Sequence, residues 1–342
     1  MTRYYCTYFD HRYLARGLVM FQSLKRHCPT ARLWVLCLSP ECHQALTRLN
    51  WDGLIPIRLE DFERDDEPLR VAKQNRSLVE YYFTCSPCLP LYVLKLDPQI
   101  DLITYLDSDL YFYHDLQPLY DEMNGRSVGI IAHRFPERNR WMEVNGIFNV
   151  GCQMFRRDAE GLKCLNWWRD RCLEWCHDYI DGDRFADQKY LDRFPQLFPS
   201  LKIIAHKGAN VAAWNLGNYK LQYRDGGLWV DDQPLLFFHF QGLRKISPGV
   251  VDPCVQWYGL RVSWLMEQQL FRPYIRELRR MKHFLAPFLE NPALFGALPR
   301  GQSEANPNRP PPATRRFGDG IREWLSVGRG VLARRFLLSG WN

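Results

Sequence analysis

Apolar positions in the first 130 residues alternate between two periods. Arg3 to Tyr8, Arg32 to Leu38, Leu54 to Leu59, Asp101 to Leu106 and Ser127 to Ala132 are short, β-rich runs. Between them, His11 to Arg26 sets Tyr13, Leu14, Gly17, Leu18, Phe21 and Leu24 at helical spacing. Ser39-Pro40 opens a second helix, with Ser suited to the cap and Pro to the first turn. Val71 to Leu96 reads as helix broken near Pro87 and Pro90. Strands alternating with helices predict an α/β fold, with a parallel sheet covered on both faces.

Beyond Trp141 the pattern is mixed. Gly146 to Phe155 predicts a strand pair or one bent strand, and Asp158 to Tyr179 a long helix. Asp225-Gly-Gly227 between two apolar runs is a hairpin signal. Leu235 to Phe238 is a short strand ending at His239, and Val255 to Met281 is an amphipathic helix. The expected organisation is a body over 1–250, divided near 135, then a helical part over 251–299. A Pro-rich linker over 300–314 and a basic amphipathic tail over 315–342 follow.

Charge sharpens this division. The net charge is +7, yet Arg300 to Asn342 holds eight arginines against Glu304, Asp319 and Glu323. The body is therefore near neutral, which argues against nucleic acid as its partner. The tail predicts either docking on a protein surface or contact with an anionic membrane face. Eleven cysteines and no visible targeting segment predict reduced thiols and a cytoplasmic location. Cys85/Cys88 and Cys172/Cys176/His177 lack a second pair at metal-site spacing and read as buried or incidental.

The sharpest chemistry is Tyr105-Leu-Asp-Ser-Asp-Leu-Tyr111. An apolar strand delivers Asp107 and Asp109 to its carboxyl end, where open α/β sheets place ligands. Two carboxylates there need a cation or a wet cleft, and hard oxygen donors suit Mg²⁺ or Mn²⁺. His239, at the end of its own apolar strand, is a third candidate ligand. Gly242 lets backbone amides approach a phosphate, and Lys245 supplies a point charge. Asp10 is either a helix cap or a contact to a nucleobase or ribose edge. Arg76 is a phosphate contact or a residue on an exposed helix face. Asn149 and Gln188 are amides in apolar settings that sugar hydroxyls would satisfy. Asp187 would orient a sugar or pair with a cation. Asp183 reads as a turn residue, and Trp214-Asn215 as a loop facing a second substrate or a packed Trp.

YLDSDLYF resembles the Asp-x-Asp signature of glycosyltransferases with the GT-A fold. The order of later stretches is similar to the retaining glycosyltransferase family eight: Tyr8-Phe-Asp10, Phe148-Asn-Val-Gly151, Asp187-Gln188 and His239-Phe-Gln-Gly242-Leu-Arg-Lys245. The resemblance spans Arg3 to Lys245. It implies a Rossmann-type mixed sheet flanked by helices and a metal site of Asp107, Asp109 and His239. It also implies a nucleotide-diphosphate sugar donor held by Tyr8, Asp10, Arg76, Asp107, Gly242 and Lys245. Asp187, Gln188 and Asn149 would be the catalytic group. Mn²⁺ or Mg²⁺ would be the cofactor, uridine the nucleotide, and a carbohydrate or glycolipid hydroxyl the acceptor. Alternatives are an inverting transferase with an Asp base, and a catalytically silent nucleotide-sugar binder.

Overall fold

A computed structural model of the chain describes residues 2–247 and 249–289, with the backbone of 337–338. Strand β1 (Arg3–Phe9) leads into α1 (Leu14–His27), β2 (Ala31–Cys37) into α2 (Pro40–Leu49), and β3 (Leu54–Arg58) into α3 (Leu59–Glu63) and α4 (Glu67–Gln74). Helix α5 (Leu78–Leu96) precedes β4 (Leu102–Leu106), β5 (Leu110–Phe112), α6 (Gln117–Met123), β6 (Val128–Ala132), β7 (Phe148–Arg156) and α7 (Ala159–Glu174). Then come α8 (Phe194–Leu197), β8 (Leu201–Ile203), β9 (Val211–Ala212), the hairpin β10 (Leu221–Arg224) and β11 (Gly227–Val230), and β12 (Gln233–Pro234). The last elements are β13 (Phe237–His239), β14 (Arg244–Ser247), β15 (Val250–Asp252), α9 (Arg272–Leu285) and β16 (Leu337–Leu338).

The principal sheet has seven strands in the order β3-β2-β1-β4-β7-β6-β8. It is parallel from β3 to β4, as the alternation predicts. β7 is antiparallel to both β4 and β6, so the sheet as a whole is mixed. No crossover helix separates β6 from β7, only a 3₁₀ segment over Glu137–Asn145, and the chain therefore returns antiparallel. One sheet face packs on α1 and α2, with α9 lying against α1, and the other on α5 and α7. The seven strands come from both sides of residue 135. A second sheet, β5-β13-β9, stands at the carboxyl end of β4.

Three local expectations are corrected. The helical stretch from Val71 breaks at Asn75–Ser77, where Ser77 and Glu80 form a reciprocal capping box, and α5 runs through Pro87 and Pro90. Residues 84–90 are all buried there, and packing outweighs the lost amide bonds. The predicted helix over 158–179 ends at Glu174, with Trp175 extended. In place of a continuous helix over 255–281, a 3₁₀ turn at Val255–Tyr258 stops at Gly259 (φ +72°), and a π-helical turn at Met266–Phe271 leads into α9. The linker over 300–314 and nearly all of the tail lie outside the described residues; Leu337–Leu338 pairs with β15 as a strand. Among the described residues no helix is long and apolar enough to cross a membrane.

Candidate active site

β1 and β4 end side by side, and their carboxyl ends open on a cleft of about 410 Å³. The buried Tyr105 is followed by Asp107, whose amide donates to Gly151 O on β7 (3.0 Å). Asp109 then enters β5. β13 pairs antiparallel with β5, setting His239 opposite Leu110, and Phe240 N donates to Asp109 O (3.0 Å). This register delivers His239 Nε2 to 3.0 Å from Asp109 Oδ1 and 3.6 Å from Asp107 Oδ2. One donor atom from each of the three residues lies within 4.8 Å of the others, the one such group among the described residues.

The charges are interdependent. Burial would lower the His239 pKa, but the charge and hydrogen bond of Asp109, with the charge of Asp107, raise it. Burial raises Asp107, with Asp109 adding to it against the pull of His239 and the hydroxyl of Tyr105. Burial would raise Asp109 too, but His239 and Arg16 outweigh it and bring it down. Arg16 Nη1 stands 3.8 Å from Asp109 Oδ2, and its Nη2 donates to Leu243 O (2.5 Å). Two carboxylates and an imidazole around one point are a donor set that fits Mn²⁺ or Mg²⁺.

Asp187, Gln188 and Asn149 line the same cleft. Asp187 is 4% exposed, and burial pushes its carboxyl up to about 7, with a contribution from Asp107 and an opposing hydrogen bond from Ser86. Its backbone is anchored from α7: the fully buried Trp168 donates Nε1–H to Asp187 O (2.8 Å). Gln188 Nε2 donates to Asn145 O (3.0 Å). Asn149 Oδ1 accepts from Gly151 N (2.9 Å) and Asn210 Nδ2 (2.9 Å), while its Nδ2 faces Gln188 Oε1 (3.3 Å) and His133 Nε2 (3.2 Å). Burial holds the His133 pKa down at about 3, so its ring is neutral.

The near wall is aromatic. Tyr8, with its hydroxyl 3.1 Å from Ser86 Oγ, packs tilted against Tyr82 and Tyr105. Asp10 Oδ1 accepts from Arg12 N (2.9 Å) and Tyr13 N (3.2 Å) in the turn that precedes α1, and the residue lines the cleft.

Arg76, Gly242 and Lys245 are not among the residues that line the cleft. Arg76 Nη2 donates to Cys172 O and Leu173 O at the carboxyl end of α7, and Nη1 lies 3.2 Å from His177 Nε2. Those carbonyls have no partner within their own helix, which is why the guanidinium is drawn there and away from the cleft. Gly242 has φ +78° and its O accepts from Cys254 Sγ, and Lys245 is on β14. Asp183 is a turn residue paired with Arg193 (3.5 Å). Trp214 is packed, edge-on to His239 with ring centroids 5.1 Å apart. Cys85, Cys88, Cys172 and Cys176 are buried free thiols. Arg16, Ser86 and Asn210 carry no motif and are brought to the site only by the fold.

No protein-family model matches the chain. The uncharacterized protein YfnF of Bacillus subtilis (strain 168) is 32% identical over 257 residues, covering 72% of this chain and 84% of YfnF. YfnD of the same strain is 28% identical over 282 residues, covering 82% and 89%. Solved structures similar to the chain include mouse xyloside xylosyltransferase 1 (15% identity, TM-score 0.45, covering 71% of this chain and 98% of that one). Another is the galactosyltransferase LgtC in complex with donor and acceptor sugar analogues (18% identity, TM-score 0.44, 70% and 87%). A third is the glycosyltransferase GlyE of Streptococcus pneumoniae TIGR4 (14% identity, TM-score 0.46, 83% and 63%). At the identity and coverage it shares with YfnF, the chain belongs to the same protein family as that Bacillus subtilis protein.

Proposed function

We propose that the chain is a metal-dependent glycosyltransferase that moves a sugar from a nucleotide-diphosphate donor, with uridine as the nucleotide, to a carbohydrate or glycolipid hydroxyl. One observation carries this: the pair Asp107 and Asp109 and the sequence-distant His239 converge on one point in a cleft that is also lined by Tyr8, Tyr82, Asp187, Gln188 and Asn149. The divalent ion would supply positive charge against which a diphosphate can leave. Tyr8 offers an apolar face to the nucleoside, and Asp10 a carboxylate to its hydroxyl or imide edge. Asn149, whose amide is spent on Gly151, Asn210, His133 and Gln188, would hold Gln188 in place, and the second Nε2 hydrogen of Gln188 would serve a sugar hydroxyl. Gly242 and Lys245 follow Gln241, which lines the cleft, and would meet the outer diphosphate oxygens.

Retention of anomeric configuration is the first reading. Asp187 is half protonated near neutrality and so a poor nucleophile, which favours attack of the acceptor on the face the diphosphate leaves. The same pKa near 7 favours a second reading, inversion with Asp187 as general base. The anomer of the first-formed product, read by NMR, separates the two. A thermal-shift panel of nucleotide sugars with Mn²⁺ tests the function itself: the true donor raises the melting point by mass action, and excess EDTA abolishes the rise. No shift with any nucleotide sugar overturns the proposal.

A further inference from the structure

We infer that Asn210 is a positioning residue that sets the tautomer of His239, in an orientation dictated by one backbone amide, that of Gly151. This inference rests on the metal-centre reading above. Gly151 N can only donate, so the Asn149 atom 2.9 Å away is its carbonyl oxygen. That oxygen can only accept, so the Asn210 atom 2.9 Å from it is the amide nitrogen. The Asn210 oxygen therefore faces His239 Nδ1 at 3.3 Å and requires the ring proton there. An ion would take the place of the Nε2 proton that Asp109 accepts here, and an imidazole held this way by its Nδ1–H would then turn the Nε2 lone pair to the space between Asp107 and Asp109. Flipping Asn210 would set two buried carbonyl oxygens against each other; flipping Asn149 would set its NH₂ against the Gly151 N–H.

The fold places Asn210 for this task. β9 runs parallel to β13, with Phe238 beside Val211 and His239 beside Ala212, so residue 210 stands one step before the ladder. Its backbone is left-handed (φ +52°), a conformation Asn tolerates better than most residues. Asn215 fixes it, donating Nδ2 to Asn210 O (3.0 Å) and accepting from Ala212 N (2.9 Å). Asn210 is fully buried. The same polarity continues through Asn149 Nδ2 to Gln188 Oε1, so one amide chain links His239 to Gln188 in the lining of the cleft.

Two variants and one spectrum test this on the full chain. Asn210→Gly deletes the amide while keeping a residue at ease at positive φ; Asn210→Asp keeps an acceptor for His239 but cannot donate to Asn149. In an EPR titration with Mn²⁺ and no nucleotide, Asn210→Gly weakens binding about tenfold to a hundredfold, and Asn210→Asp binds at least as tightly as wild type. In the Mg²⁺-loaded wild type, a long-range ¹H–¹⁵N spectrum shows the His239 proton on Nδ1. Unchanged Mn²⁺ affinity in Asn210→Gly, or a bare Nδ1, overturns the inference and leaves the metal centre standing. A wild type that binds no Mn²⁺ overturns both. Should Asn210→Gly fail to fold, the wild-type spectrum decides alone.

Discussion

His239 Nε2 sits 3.0 Å from Asp109 Oδ1 because the strand that ends at His239 is hydrogen-bonded to the strand that begins just after Asp109. The contact is thus built into the register of β13 on β5, and a shift by one residue would turn His239 to the other face. Asp109→Asn keeps the shape but removes the charge. We expect it to lose measurable Mn²⁺ binding and at least about a hundredfold of transfer activity. EPR titration and a radiolabelled-donor assay check both; full activity in Asp109→Asn would refute the metal role.

Asp187 gives the fold a pH signature. Its folded pKa of about 7 lies above the ordinary Asp value of about 3.9. The native state holds this proton more tightly than the unfolded chain, so its share of stability is full below about pH 4 and is lost as pH rises toward 7. Asp187→Asn removes that loss. In EDTA, its melting temperature relative to wild type should be higher at pH 8 than at pH 4.5; equal differences at the two pH values would contradict the assignment.

Arg76 closes the end of α7 and stands apart from the cleft. Arg76→Ala should cost about 1–3 kcal/mol in urea unfolding, since it leaves partly buried carbonyls unpaired. Calorimetric titration with a uridine diphosphate should give a dissociation constant close to wild type. A large loss of nucleotide affinity with unchanged stability would restore the phosphate role.

Trp168 buttresses the backbone of Asp187 from behind. Trp168→Phe removes the donor to Asp187 O and leaves a gap in a fully buried position. We expect a loss of about 2–4 kcal/mol and a fall in kcat larger than any change in KM for donor, because Asp187 and Gln188 are set by that backbone. Steady-state kinetics beside urea curves check the pair of effects.

The legible parts of the site were those that a strand end announces. Asp107 and Asp109 follow a run of apolar residues, and His239 closes another, so the ends of two buried strands point to all three. Asn210 and Arg16 were invisible because nothing local marks them: one owes its place to β9 lying beside β13, the other to α1 passing over the turn at Leu243. Arg76 was left open between a phosphate contact and a helix face, and its bonds to the end of α7 could not be read locally because they depend on how two helices meet. The prolines of α5 misled because chain-local rules carry no knowledge of what a helix packs against. The antiparallel β7 could not be told from a parallel strand, because hydrophobic runs do not record direction.

Ser108 is the lone residue between a carboxylate that ends one sheet and a carboxylate that begins another. Asp107 moves with β4, Asp109 with β5, and the third ligand rides on β13. An ion held by all three would be a rivet through the seam, tying the two sheets together at the one point where the chain passes between them.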